Sequence, residues 1–171
     1  MTTQKLNIKE LFESFDETTS ELLKTISLFN EEEINTVPFE NSWTAAQVAD
    51  HVMQSNRSMI QSLNEEGKAT SGNVDEGVHK FRELFLNFDS KLQSPKFILP
   101  TQKNYNKEQL IAELKDSVEQ IKQLSARVDV TEMIDHRVFG EITKFEILHF
   151  VVYHTQRHIH QLKNIFQHVT K

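Results

Sequence analysis

The amino-acid sequence predicts an all-α fold, an up-and-down four-helix bundle with a longer crossover connection. Three observations carry that expectation. Apolar residues recur at helical spacing over several long stretches, the signature of amphipathic helices. Only four glycines and three prolines punctuate 171 residues, too few for the many turns of a stranded fold. No repeat, low-complexity tract or linker divides the chain, so residues 1–171 read as one domain, a length that suits a single core.

The elements follow in order. Leu6 to Phe29 gives a first helix, in which Leu6, Ile8, Leu11, Phe12, Phe15, Leu22, Leu23, Ile26 and Leu28 largely follow the 3.6-residue period. Glu31-Glu32-Glu33 is read as a solvated turn or a short extra helix, and Pro38 stops any continuation. Thr44 with Gln47 three residues later forms a capping box, so a second helix begins there and fades before Gly67. Its inward stripe is Val48, His51, Val52, Ser55, Met59 and Leu63. Gly67 to Gly77 is polar and glycine-bearing, hence a loop. Val78 to Leu92 is a third helical segment ended by Ser94-Pro95, and Lys96 to Lys103 is an extended crossover or a strand-like connection. Asn106 caps a fourth helix that runs to Val128. Thr131 to Gly140 is read as a connection with one helical turn. Thr143 and Glu146 then form another capping box, opening a last helix that runs to Val169.

Composition removes several function classes. A formal net charge of −6 and no basic stripe argue against a nucleic-acid partner. No apolar run approaches the roughly 20 residues of a membrane span, and the N-terminal MTTQKLNIKELFE lacks the pattern of an export signal. A cytoplasmic location is therefore expected. With no cysteine there is no disulfide, thiolate zinc site or catalytic thiol. Ser-His-Asp ordering, a phosphate-binding glycine loop and a paired-carboxylate signature are all missing from the sequence.

What remains is histidine. In the last helix the stripe Ile147, Val151, Leu162, Ile165 also carries His154 and His158, and on the second helix His51 stands where the period asks for an apolar residue. Neutral imidazole is the commonest metal ligand, and a pair at i and i+4 on one helical face can chelate one ion. His51 would supply a third ligand from across the bundle, leaving positions open for water or substrate, the arrangement of catalytic sites. The competing reading is that the three are hydrogen-bonded core histidines. A zincin helix needs Glu directly after its first His. Here Thr155 follows His154, which removes that reading.

The remaining candidates are weaker. His160 falls on the opposite face from His158, exposed or at an interface. His149 does not share the ligand line and is read as approaching from the side or packing in a subunit interface. His79, His136 and His168, near element ends or loops, are read as solvated. Trp43 is expected to pack where the second helix begins. Gln161 either hydrogen-bonds near the site or is polar surface, and Tyr153 and Arg157, which flank the ligands, are structural or solvent-facing rather than substrate contacts.

Asn41-Ser42-Trp43-Thr44, then Asp50-His51-Val52, and much later Tyr153-His154-Thr155-Gln156-Arg157-His158-Ile159-His160-Gln161-Leu162 together resemble the DinB-like (YfiT-like) superfamily of metal-dependent enzymes. The resemblance covers essentially the whole chain. It implies a four-helix bundle, often a homodimer, in which His51, His154 and His158 bind one divalent ion, most often nickel or zinc. Relatives of that kind include transferases and isomerases that use a low-molecular-weight thiol such as bacillithiol, mycothiol or glutathione. The implied function is a metal-dependent enzyme acting on a small molecule, a thiol-dependent S-transferase or a metal-dependent hydrolase. The alternative is a non-catalytic metal-binding or stress-response bundle. One departure stands out: His-Ile-His-Gln replaces the His-x-Gly-Gln of many relatives, so the segment after the second ligand is expected to pack differently.

Overall fold

The computed structural model describes residues 6–170; the reading of the extreme N-terminus as free of an export signal falls partly outside them. Four long helices make the bundle: α1 (Ile8–Ser27), α3 (Ala45–Asn64), α5 (Lys107–Ser125) and α6 (Lys144–Val169), with the four-residue α2 (Glu31–Ile34) and the short α4 (Val78–Leu86) between them. The expected four-helix bundle forms, with a small three-stranded sheet beside it. Around it α1 packs on α6 and α5, and α3 packs on α5 and α6, so α1 and α3 occupy opposite corners. Among the described residues no helix is long and apolar enough to cross a membrane.

The helix starts are set locally, as the sequence implies. Thr44 Oγ1 accepts from the Gln47 amide at 3.1 Å while Gln47 Oε1 accepts from the Thr44 amide at 3.0 Å. Thr143 and Glu146 close the same reciprocal pair at the head of α6, and Asn106 Oδ1 accepts from the Gln109 amide at 2.9 Å. Each satisfies amides that the first helical turn leaves unpaired, typically worth about 1 kcal/mol. The acidic Glu31–Glu33 stretch takes the second of its two readings, becoming α2 under an Asn30–Glu33 capping box.

Three expectations are corrected. Thr131 to Gly140 holds no helical turn: Glu132–His136 (β2) and Gly140–Thr143 (β3) form an antiparallel hairpin, with Ile134 opposite Ile142 and His136 opposite Gly140. Its three-residue turn, Arg137 to Phe139, ends on Gly140 at φ +69°, the left-handed position such turns require. The loop from Gly67 contributes a two-residue strand, Lys68–Ala69 (β1), to the outer edge of β2. The third helical segment stops at Leu86 rather than Leu92. There, the Arg157 guanidinium of α6 takes the carbonyls of Phe85 (3.3 Å), Asn87 (2.9 Å) and Ser90. Carbonyls that a helix end leaves open are satisfied by a distant cation, and the chain turns back over the site.

The apolar core has two halves. One gathers Met59 and Leu63 of α3, Phe85 of α4 and Phe145 to Val152 of α6. The other gathers Ala45 to Met53 of α3, Leu110 and Leu114 of α5, and Ile159 to Ile165 of α6. Between them runs a polar layer of buried side chains: Ser55, Asn56 and Ser58 on α3, Ser117 on α5, and His154, Thr155 and His158 on α6. Asn56 Nδ2 donates to Ser117 Oγ at 3.0 Å within it. Buried polar atoms persist only where they find partners, and this layer holds the three candidate histidines.

Candidate metal centre

His51, two turns into α3, and His154 and His158, one turn apart on α6, point into the polar layer from facing helices. All three are nearly inaccessible, at 1%, 5% and 7% exposure. His51 Nε2 lies 3.0 Å from His154 Nε2, and His158 Nε2 lies 3.2 Å from His154 Nε2. One ligand atom from each residue lies within 4.8 Å of the others. Nitrogens bound to one tetrahedral zinc at about 2.0–2.1 Å sit roughly 3.3 Å apart, so the cluster already has the dimensions of a metal site.

The outer nitrogens decide the tautomers. His51 Nδ1 is 2.8 Å from the Ile98 carbonyl, and His158 Nδ1 is 2.8 Å from Gln161 Oε1. Both partners are acceptors, so both Nδ1 atoms carry the proton and both Nε2 atoms offer lone pairs. His154 can donate its own Nε2–H to one of them but not to both. Three imidazoles with two inward lone pairs fixed by their surroundings are a donor set that suits a cation and that protons alone leave unsatisfied. Protonation is opposed as well. Burial brings His158 down to about 3, with His51 adding to the effect. Burial first, then the neighbouring His158, His51 and Arg157, holds His154 well below the ordinary imidazole range. Burial also lowers His51, against the Ile98 carbonyl and Asp50, which work the other way.

Asp50, the neighbour of His51, anchors the crossover that carries Ile98. Its Oδ2 accepts from the Thr101 amide (2.8 Å), the Thr101 hydroxyl (2.9 Å) and the Tyr105 hydroxyl (2.6 Å), and its Oδ1 accepts from Gln54 (3.0 Å). Burial pushes this carboxyl upward, yet the bonds from Tyr105, Thr101 and Gln54 together outweigh burial and hold it below its usual value. Burial, and after it the same contact, raises Tyr105 to about 12. Adjacent residues of α3 thus hold the crossover at two points, and one of those points orients the His51 ring.

A cavity of about 240 Å³ borders the three rings. Its walls are mostly apolar, including Met59, Phe85, Phe97, Ile98 and Phe150, and no carboxylate lines it among the described residues. Leu84, Leu92, Phe97 and Val138 stay exposed around it. The Arg137 guanidinium lies 3.1 Å above the Phe97 ring, joining the hairpin turn to the crossover.

The weaker candidates separate cleanly. Trp43 does pack at the start of α3, its ring 5.1 Å from that of His51. Gln161 is a hydrogen-bond partner of the site and not polar surface. Arg157 lines the cavity as a strap across the α4 end, whereas Tyr153 and His149 line a different groove against α1. His160 is exposed and stacks on Phe88 at 4.1 Å, and His79 and His168 are exposed as expected. His136 overturns its reading as solvated: it is 5% exposed and lines the cavity. The signal was available in the alternation Ile134, Asp135, His136, which on a strand turns Ile134 and His136 to one face.

The sequence model of the DinB superfamily matches residues 14–162. An uncharacterised protein of Bacillus subtilis, YuaE, is 25% identical over 154 residues, covering 88% of this chain and 94% of that one. Among solved structures, YfiT of B. subtilis, described as a probable metal-dependent hydrolase with an unusual four-helix bundle topology, superposes with a TM-score of 0.63. Its identity is 17%, over 97% of this chain and 89% of that one. The four-helix bundle protein TT2238 superposes with a TM-score of 0.58 at 18% identity, over 91% of this chain and 98% of that one.

Proposed function

The chain belongs to the DinB superfamily, and from that membership we propose that it is a divalent-metal-dependent hydrolase of small molecules whose ion is held by His51, His154 and His158. One observation carries the reading: three Nε2 atoms converge beside a cavity, with two of the tautomers set by Ile98 and Gln161. Three imidazoles suit nickel or zinc. When bound, such an ion supplies Lewis acidity, acidifying a water or a thiol and polarising a carbonyl. The protein's part is to fix the ligand rings, to admit a substrate between apolar walls and to keep bulk water away from the ion. A cavity beside the cluster speaks for chemistry over a purely structural or stress-response ion, because a structural zinc site is closed by four protein ligands.

A second reading, an S-transferase using a low-molecular-weight thiol, is favoured by the cavity lining. Among the described residues no carboxylate lines the cavity to take the proton that an ion-bound hydroxide still carries after attack, whereas a thiolate carries none. Metal analysis of the untagged chain tests the premise: about one nickel or zinc per chain is expected, lost in His51→Ala and in His154→Ala. Substoichiometric metal that neither substitution changes would refute it. Loaded protein assayed on ester and amide substrates, and on electrophiles with bacillithiol or glutathione, then separates hydrolysis from thiol transfer.

A further inference from the structure

The cavity holds a fourth histidine that the metal cluster does not use. His136 sits at the end of β2, and the backbone amides of Val138 and Phe139 both donate to its Nδ1, at 3.1 and 3.3 Å. A nitrogen that accepts two N–H bonds carries no proton, so in the neutral ring the proton is on Nε2. The Phe139 ring stacks on the imidazole at 5.0 Å and 21°, and the two amide bonds set which edge faces the turn. Nε2 therefore lies on the ring edge away from the turn. It is buried, and it is the one buried side-chain nitrogen or oxygen without a hydrogen-bond partner among the described residues. A buried donor left unpaired costs about 1–3 kcal/mol, so such groups in native proteins are kept where a water, an ion or a ligand can pair them.

We propose that His136 is a substrate-binding residue, its Nε2–H donating a hydrogen bond to an acceptor oxygen of a largely apolar molecule in the cavity beside His51, His154 and His158. The substrate class follows from the surroundings: apolar walls at Met59, Phe85, Phe97 and Phe150, with His136 among the lining residues on the hairpin side. An apolar body carrying a carbonyl-type oxygen fits both, whereas a polyanion finds no array of cations. The word substrate rests on the enzymatic reading above; the donor and its ligand chemistry do not.

Two substitutions take the two nitrogens apart. His136→Asn keeps an acceptor for the Val138 and Phe139 amides and withdraws the distal donor; His136→Gln offers a distal donor and gives up the acceptor. The probes are acetophenone and its near-isostere α-methylstyrene, which lacks the oxygen, titrated into the full chain as purified. Imidazole ¹⁵N NMR should report His136 protonated at Nε2 alone, with that resonance moved by acetophenone and not by α-methylstyrene. Acetophenone should bind about tenfold tighter than α-methylstyrene to the wild type and to His136→Gln, with the preference gone in His136→Asn. A proton on Nδ1, no binding of acetophenone to the wild type, or an undiminished preference in His136→Asn would overturn the proposal. Should His136→Asn fail to fold, the wild-type tautomer and the preference of His136→Gln decide it. Metal content is measured on the same samples. Missing metal defeats the enzymatic reading without touching the tautomer, and a lost preference with metal intact is specific to His136.

Discussion

Gln161→Leu isolates the contribution of one hydrogen bond to the metal centre. Gln161 Oε1 is 2.8 Å from His158 Nδ1, so the amide oxygen accepts the proton whose placement leaves Nε2 free. Leucine has similar bulk and no acceptor. In the variant the ring loses the partner that fixes its orientation, and a buried Nδ1–H is left without a carbonyl to receive it. Removing such an outer partner of a ligating histidine typically lowers metal affinity 10- to 100-fold, which is about 1.4–2.7 kcal/mol. A competition titration of zinc against a chromophoric chelator at pH 7 reads that range directly. Gln161→Glu, which places a carboxylate against the same N–H, should hold or raise the affinity, because a charged acceptor strengthens the bond and makes Nε2 more basic. If Gln161→Leu bound zinc as tightly as the wild type, the tautomer argument would fail, and with it the claim that the site is preorganised.

Three further outcomes are expected. Asp50→Asn, which leaves one neutral oxygen for the three bonds that Thr101 and Tyr105 give to Oδ2 of the 1%-exposed carboxylate and turns an amide N–H toward the Gln54 donor, should lose about 3 kcal/mol in urea unfolding. It should also weaken zinc binding, since the loosened crossover carries the Ile98 carbonyl that orients His51. Acid should destabilise the wild type in part through His149, whose burial brings it to about 4. Above about pH 6.5 neither state holds that proton, and as the pH falls from there toward 4 the unfolded chain binds it while the folded chain does not, so stability falls. His149→Leu should therefore gain on the wild type by roughly 2 kcal/mol between pH 7 and pH 4.5 in urea midpoints of metal-free protein, and equal pH slopes would show that His149 is solvated. Arg157→Met should release the segment from Phe85 to Ser90, read as faster amide hydrogen exchange there with α6 unchanged. Unaltered exchange would mean that the helix end is held by other contacts.

Much of this protein was legible in its residues because the relevant physics is local. Capping boxes at Thr44 and Thr143 and apolar stripes at a period of 3.6 depend on neighbours a few residues away, and they placed the long helices to within a turn or so. The same periodicity turned His51, His154 and His158 inward, since a stripe tells which face a side chain takes. The short hairpin was less legible, because two strands of five and four residues carry little pattern and their pairing joins residues across a turn. Tertiary structure alone decided the rest. The end of α4 is set by Arg157, some 70 residues further along the chain. The tautomers of His51 and His158 follow from a crossover carbonyl and a side-chain amide, and no propensity encodes the direction of a lone pair. His136 shows both sides: the alternation with Ile134 gives its face once the strand is recognised, but only the packing of the hairpin encloses the ring, with one nitrogen satisfied by its own turn and the other without a partner among the described residues.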